Sequence, residues 1–117
     1  MILITDEIGE TIIGKQFFTR CGGKGANQAV AVAKLCDDSK GMRFVSTVGD
    51  DSNGCEILKR LESTGVISQE VKVINGICTG VATICIDEKG ENSIIVVPGA
   101  NSCFSPSIVS SFSMFDV

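Results

Sequence analysis

The sequence predicts an α/β fold with an appended β-hairpin, and three observations support this prediction. A glycine-rich turn, Cys21–Gly25, leads into a run of small apolar residues that predicts a helix over Ala26–Cys36. Segments typical of strands and of helices then alternate along the chain, as they do in α/β layers. Two β-rich segments flank the polar turn Asp87–Gly90, and this arrangement indicates a hairpin outside the alternating layer.

The individual elements follow from local patterns. The helix over 26–36 is apolar on nearly every face, which predicts that it is buried. Asp51 or Ser52 is expected to cap an amphipathic helix over Asn53–Ser63, and Gly65 is expected to end that helix. The other predicted elements are the strands Glu10–Thr19, Met42–Val48, Glu70–Ile74, Thr79–Ile86 and Glu91–Val97. A last helix is predicted with Ser105 as its cap and Pro106 at its first position, continuing to about Phe112.

Composition argues against several classes of function. The chain has 117 residues, enough for one domain at most, and its formal net charge is −4. Without a basic patch, nucleic acids and anionic membranes are not expected partners, and the apolar runs are shorter than a membrane span. Six cysteines without a C-x-x-C pair, and no histidine, argue against a zinc site. The first residues lack the basic region of a signal peptide, so we expect a reducing, cytoplasmic location.

The turn before the first helix has the properties of a ligand-binding site. Its glycines let a ligand approach the backbone closely. A helix start presents unpaired N–H groups and the positive end of the helix dipole, which suit an oxygen-rich or anionic ligand. The pattern is not a P-loop, because Gly25 follows Lys24, and it is not a dinucleotide fingerprint, because Gln28 replaces the third glycine. Taken alone, the pattern also fits a tight turn before a core helix.

The full string GGKGANQAVAVAKL, residues 22–35, closely resembles the N-terminal signature of the ribokinase group in the PfkB family of carbohydrate kinases. Further segments with the same resemblance follow in order; they are Thr47–Gly54, Ser63–Val66, Thr79–Ala82, Gly90–Ile94 and Pro98–Asn101. The resemblance implies a partial, doubly wound ribokinase-like domain with a small β-sheet lid. The lid strands would be about 10–19, 79–86 and 91–97, and the α/β part about 22–74 and 98–117.

By this resemblance, the sugar-binding residues are Gly23, Lys24, Gly25, Ala26 and Asn27. A sugar needs many hydrogen bonds from groups in fixed positions. Lys24 and Asn27 have polar side chains, and the glycines beside them let the sugar approach the backbone closely. The alternatives are that Asn27 is a helix N-cap and that Lys24 is a solvated loop residue.

On the implied lid, one strand face carries Ala82 and Ile84, and one face of the partner strand carries Ile94 and Val96. Ala82, Ile94 and Val96 are therefore candidate lid contacts to the sugar, with ordinary packing within the lid as the alternative. For Asp50 and Asp51 a turn and helix cap is favoured over a metal or base role, and no metal ligand is assigned.

The resemblance implies ATP-dependent phosphorylation of D-ribose to ribose 5-phosphate, with Mg²⁺ and a monovalent cation such as K⁺, in a homodimer formed through the lid. The family's catalytic aspartate, in a Gly-Ala-Gly-Asp turn, has no counterpart in this sequence, and neither has its ATP site. We therefore expect an N-terminal fragment that is inactive alone. The alternatives are another PfkB kinase, such as a fructokinase or adenosine kinase, and a non-catalytic fragment that associates through its β-lid.

Overall fold

The computed structural model of the chain describes residues 9, 11, 13–36 and 41–111. These residues divide into two compact units. In the first, which we call the hairpin unit, the described residues up to Arg20 group with Val81–Val97. The second, the α/β unit, comprises Cys21–Gly80 and the described residues from Pro98 onward.

Four short parallel strands form the sheet part of the α/β unit. Strand β1, Met42–Arg43, pairs with β3, Val66–Ile67, and strand β2, Ser46–Gly49, pairs with β4, Val71–Ile74. Helix α2, Ser52–Ser63, lies between the two partners of each pair along the chain, and a helical crossover of this kind is what a parallel pair requires. The α/β class predicted from the alternation of elements is therefore present.

A shift of register explains why the predicted strand Met42–Val48 is split in two. Met42 lies opposite Val66, whereas Ser46 lies opposite Val71. The segment from Val66 to Val71 is therefore one residue longer than the segment that it faces, as in a β-bulge. Buried Glu70 sits at this interruption and accepts a 2.9 Å hydrogen bond from Arg43 Nε through its Oε1 atom. Its Oε2 atom has no hydrogen-bond partner within the described part of the chain.

Helix α1, Lys24–Leu35, packs on β1 and β3. The prediction that this helix is buried on nearly every face is wrong, because Val32 is 41% exposed and Leu35 is 86% exposed. A helix on one face of a sheet buries only the stripe that faces the sheet. The buried residues of the hydrophobic cluster around α1 and α2 are Ala29, Val30, Val48, Leu61, Val66 and Val71.

Helix α2 has the ends that its sequence predicts. Asp51 is the N-cap and accepts a 2.9 Å hydrogen bond from the Gly54 backbone N–H. The helix ends at Ser63, and Gly65 follows with φ +83°, the left-handed conformation that favours glycine after a helix. Leu61 is buried in the core, whereas the charged side chains of the helix face solvent.

The hairpin unit is built around strands β5, Val81–Ile86, and β6, Asn92–Val97, which pair antiparallel. The side chain of Asp87 accepts hydrogen bonds from the backbone N–H groups of Lys89 and Glu91, at 2.8 and 2.9 Å. Gly90 has φ +84°, which closes the turn. The turn chemistry at residues 87–90 therefore fixes the register of the two strands.

The predicted strand Glu10–Thr19 is not formed in its described residues. Residues 13–20 are exposed and contain no strand, while Glu10 and Ile12 lie outside the described residues. Lys15 forms an ion pair with Glu88 in the hairpin turn. Residues such as Phe17 and Phe18 favour strands, but a strand needs a partner backbone, and β propensity depends strongly on that context.

The chain after β6 forms a 3₁₀ helix, Gly99–Cys103, and helix α3, Pro106–Ser110. Pro106 is at the first helical position, as predicted, whereas Phe112, the predicted helix end, lies outside the described residues. Among the residues that the structure describes, no helix has the length and apolar character needed to cross a membrane.

Candidate functional site

The glycine turn leads directly into helix α1. Gly23 is the N-cap with φ +94°, and the Asn27 backbone N–H donates a 2.9 Å hydrogen bond to the Gly23 carbonyl oxygen. Glycine has no side chain with which to cap the first N–H groups of the helix. The first turn contains no acidic residue, and it carries Lys24. Its unpaired donors and the helix dipole thus point toward a position that favours oxygen or anionic groups.

The predicted sugar-binding residues line this helix start. Lys24, Gly25 and Asn27 are exposed, and Ala26 is half-buried. Asn27 is the fourth residue of the helix, so it is not the N-cap, and its side chain makes no hydrogen bond to any described residue. The buried Ala29, one turn further on, anchors the helix to the core. The helix thus presents the Lys24 and Asn27 side chains, which make no hydrogen bond to any residue that the structure describes.

Packing does not require the glycines of this turn. A Cβ atom added at Gly22 would have no neighbour within 4 Å, and one added at Gly25 would lie 3.5 Å from the Phe44 ring, an ordinary contact. Only Gly23 has a positive φ. The space beside the backbone here is therefore open to a ligand.

The Cys21 thiol lies at the start of the turn. Burial, together with the nearby Glu56 carboxylate, raises the pKa of this thiol. A thiol held in its neutral form is a poor nucleophile. Covalent chemistry at Cys21 is accordingly not supported.

The candidate lid residues lie together on one face of the hairpin. Ala82 pairs with Val96 and Ile84 pairs with Ile94, and directly opposite residues of an antiparallel pair point to the same side. All four side chains are exposed. Their proposed contact with a sugar remains a prediction.

Both members of the acidic pair serve the fold. Asp50 Oδ2 accepts a 3.0 Å hydrogen bond from the Gly76 N–H. Asp51 accepts from Gly54, from the Thr79 hydroxyl at 2.6 Å and from the Thr79 N–H at 2.8 Å. The bond from the Thr79 hydroxyl, together with those from the backbone N–H groups of Gly54 and Thr79, holds the pKa of Asp51 below its ordinary value. The helix-cap interpretation is confirmed for Asp51.

Sequence reasoning missed the role of Thr79. This residue precedes strand β5 and is 3% exposed, with its hydroxyl shared between Asp51 and the Gly49 N–H. Its partners lie 28 and 30 positions away, so no local pattern reveals them. The neighbouring Gly80 is equally constrained by a distant residue, because a Cβ added there would lie 2.3 Å from Asn101 Nδ2.

Residues 1–117 match the family described as pfkB family carbohydrate kinase. The chain is 50% identical over 97 residues to the ribokinase of Schizosaccharomyces pombe, covering 80% of this chain and 30% of that protein. It is 44% identical over 98 residues to the ribokinase of Bacillus subtilis, covering 84% and 32%. It is 42% identical over 98 residues to the deoxyribokinase of Salmonella typhi, covering 84% and 31%.

Solved structures show the same relationship. The ribokinase of Giardia lamblia aligns with a TM-score of 0.75 and 39% identity, over 89% of this chain and 31% of that one. The ribokinase of Arabidopsis thaliana, complexed with ribose and ATP, aligns with a TM-score of 0.74 and 40% identity, over 86% and 32%. The chain thus has a partial ribokinase-like α/β fold and spans about a third of the length of these relatives. Because the family match extends over all 117 residues, the chain belongs to the PfkB family of carbohydrate kinases.

Proposed function

We propose that the protein carrying this chain is a ribokinase-type sugar kinase that transfers the γ-phosphoryl group of ATP to the 5-hydroxyl of D-ribose. The observation that carries the proposal is the uncapped, open helix start at Gly23–Asn27, located within the segment that resembles the ribokinase signature. The identities of 50% and 44% to two ribokinases support ribose as the first candidate substrate.

The chain's own residues would bind and orient the sugar. The first-turn N–H groups of α1 can donate to sugar oxygens, and Lys24 and Asn27 add side-chain donors whose positions are fixed by a helix. Hydrogen bonds from a rigid frame hold the acceptor hydroxyl in place, and phosphoryl transfer depends largely on such positioning. No residue of this sequence matches the family's catalytic aspartate.

The cofactors proposed by resemblance are ATP, Mg²⁺ and a monovalent cation such as K⁺. The described residues do not fit a metal site, since no three Cys, Asp or Glu side chains among them lie close enough together to hold an ion. None of the described residues is therefore proposed as a ligand of the metal ion.

The hairpin unit is proposed to act as the lid, with Ala82, Ile94 and Val96 covering the sugar and excluding water. The exposed apolar side chains of β5 and β6 also support association of two copies through the lid. A cytoplasmic location is proposed from the six cysteines, which are all free thiols.

A second candidate substrate is 2-deoxyribose. The 42% identity to a deoxyribokinase is close to the 44% found for the ribokinase of B. subtilis, so overall similarity does not separate the two sugars. They differ by the 2-hydroxyl, and a site that hydrogen-bonds a hydroxyl strongly disfavours a substrate that lacks it.

The test is an ADP-release assay on the longer protein that carries this chain, with ribose, 2-deoxyribose, fructose and adenosine as acceptors. We expect the highest kcat/KM with ribose, and no ribose-dependent ADP release from the 117-residue chain alone. Preference for fructose or adenosine would reassign the substrate, and no activity with any acceptor would overturn the proposed function.

A further inference from the structure

Both chain connections of the hairpin begin in one hydrogen-bonded cluster of the α/β unit, in which Gly49, Gly54, Thr79 and Ala100 are buried. We call this cluster the hairpin root and define it by the turn Gly49–Gly54 and the segments Cys78–Gly80 and Pro98–Asn101. The chain enters strand β5 directly after Gly80 and leaves strand β6 directly before Pro98. These two points are where the hairpin joins the α/β unit along the chain.

The incoming connection is held by Thr79. The Thr79 hydroxyl donates a 2.6 Å hydrogen bond to Asp51 Oδ1 and accepts a 2.9 Å hydrogen bond from the Gly49 N–H. The Thr79 N–H donates to Asp51 Oδ2 at 2.8 Å. These three hydrogen bonds join Thr79 to Gly49, at the end of β2, and to Asp51, which caps helix α2.

The outgoing connection is held by Thr47. Its hydroxyl donates a 2.7 Å hydrogen bond to the Ala100 carbonyl oxygen. The Ala100 N–H in turn donates to the Cys78 carbonyl oxygen at 2.8 Å, which joins the two connections to each other. Thr47 is 2% exposed and Ala100 is fully buried, so water does not compete for these bonds.

Glycines allow the backbones of the root to approach one another. A Cβ atom at Gly49 would lie 2.1 Å from the Ile77 carbonyl oxygen, and one at Gly54 would lie 2.2 Å from the Gly49 carbonyl oxygen. At Gly99, with φ +50°, a Cβ atom would lie 2.2 Å from the Cys78 carbonyl oxygen. Such close packing leaves the two connections little freedom to move.

We propose that Thr79 and Thr47 are positioning residues for the proposed sugar kinase, which hold the base of the hairpin in the arrangement that sugar binding requires. This inference rests on the proposed function, in which the hairpin covers the sugar. Neither threonine touches the substrate; each acts through the hairpin. When either hydroxyl is lost, a larger set of hairpin orientations becomes accessible, and the sugar-competent fraction falls.

The test uses the longer protein that carries this chain, with Thr79→Val as the main variant, because valine keeps the shape and removes the hydroxyl. We expect KM for ribose to rise about tenfold, the equivalent of one lost hydrogen bond, while KM for ATP stays within about twofold, below the effect of one such bond. Backbone amide hydrogens of residues 81–97 should exchange faster in the ligand-free variant. Thr79→Ser, which keeps the hydroxyl, should restore both values.

Thr47→Val provides a second variant that breaks the other connection, and the same pattern is expected from it. Thr64→Val is the matched control, because the Thr64 hydroxyl also makes hydrogen bonds, sharing its proton between the Arg60 and Leu61 carbonyl oxygens, but lies at the far end of helix α2. If kcat fell with the active fraction of enzyme while KM for ribose did not change, the threonines would have only a structural role. If the wild type phosphorylated no sugar, the proposed function would fail, and unchanged exchange at residues 81–97 in both variants would overturn the positioning role independently.

Discussion

Two glycine-rich regions of this chain have opposite physical roles. In the hairpin root, Gly49 and Gly80 lie so close to other backbone or side-chain atoms that an added Cβ would come within 2.1 and 2.3 Å of them. In the turn before helix α1, Gly22 and Gly25 have room for a side chain. In the root, packing leaves no space for a side chain at these glycines. In the turn, a side chain would fit, and its absence leaves the backbone accessible to a ligand. The open space beside Gly22 and Gly25 would let a ligand approach the backbone of this turn.

The largest expected effect is a loss of stability when a side chain is added to a glycine of the hairpin root. Gly49→Ala places a methyl group against the Ile77 carbonyl oxygen and the Thr79 nitrogen, and neither backbone atom can move without displacing the root. We expect the free energy of unfolding to fall by about 3 kcal/mol, the upper part of the usual range for overpacking. Urea denaturation of the longer protein measures the change.

Gly25→Ala is the matched control for this substitution. The added methyl meets only the edge of the Phe44 ring at 3.5 Å, and alanine is the better helix former by about 1 kcal/mol. Stability should therefore stay the same or rise slightly, while ribose affinity falls because the methyl fills the open face. Equal losses of stability at Gly25 and Gly49 would contradict the distinction drawn between the regions.

Asn27→Ala sharpens the functional side of the comparison. Asn27 is exposed, lies inside helix α1 and caps nothing, so its loss should change the free energy of unfolding by less than about 0.5 kcal/mol, as is usual for surface substitutions. Ribose affinity should fall by about 1–3 kcal/mol, the cost of a lost hydrogen bond to a buried ligand. Calorimetric titration with ribose measures this change, and an unchanged affinity would remove Asn27 from the proposed site.

The smallest expected effect is the pH dependence of the root. Hydrogen bonds from Thr79 and Gly54 lower the pKa of Asp51 in the folded state, so the folded state stabilises the charged carboxylate. This contribution is present above the unfolded pKa of about 3.9 and is lost as the pH falls through the lower folded value. The stability advantage of the wild type over Asp51→Asn should therefore be constant at neutral pH and shrink below about pH 4.

A second carboxylate also contributes to the pH dependence of stability, because the ion pair with Lys15 lowers the pKa of Glu88. Both side chains are present in the wild type and in Asp51→Asn, so the difference between the two proteins cancels their contribution. A difference that grew toward acid pH would mean that the folded state raises, and does not lower, the pKa of Asp51.

Local chemistry was predictable from the sequence where the interacting groups are close along the chain. Asp51 and Gly65 mark the ends of helix α2, and Asp87 and Gly90 form the hairpin turn, all from contacts within four residues. The sugar-site residues were named by resemblance, since the glycine pattern alone also fitted a turn before a core helix.

The remaining features depend on partners distant in sequence. The interruption of the sheet at Glu70 arises from the register between strands about 25 positions apart. The residue pattern within one strand does not show which residues of another strand it pairs with. The burial of helix α1 was overestimated because an alanine-rich run has no polar face from which to locate the buried stripe. Thr47 and Thr79 look like ordinary strand residues until the fold brings Ala100 and Asp51 to them.

The closeness of Gly80 to Pro98 has a consequence for how this chain can change over evolution. A Cβ at Gly80 would lie 2.6 Å from the Pro98 carbonyl oxygen, so the two residues that flank the 17-residue segment Val81–Val97 lie close together. Closing a loop whose ends already meet costs only about 0.6 kcal/mol more for each doubling of its length. Insertions and deletions between these ends therefore leave the core of the α/β unit undisturbed. The same scaffold can carry a shorter, longer or exchanged hairpin, which makes this segment a natural point for grafting.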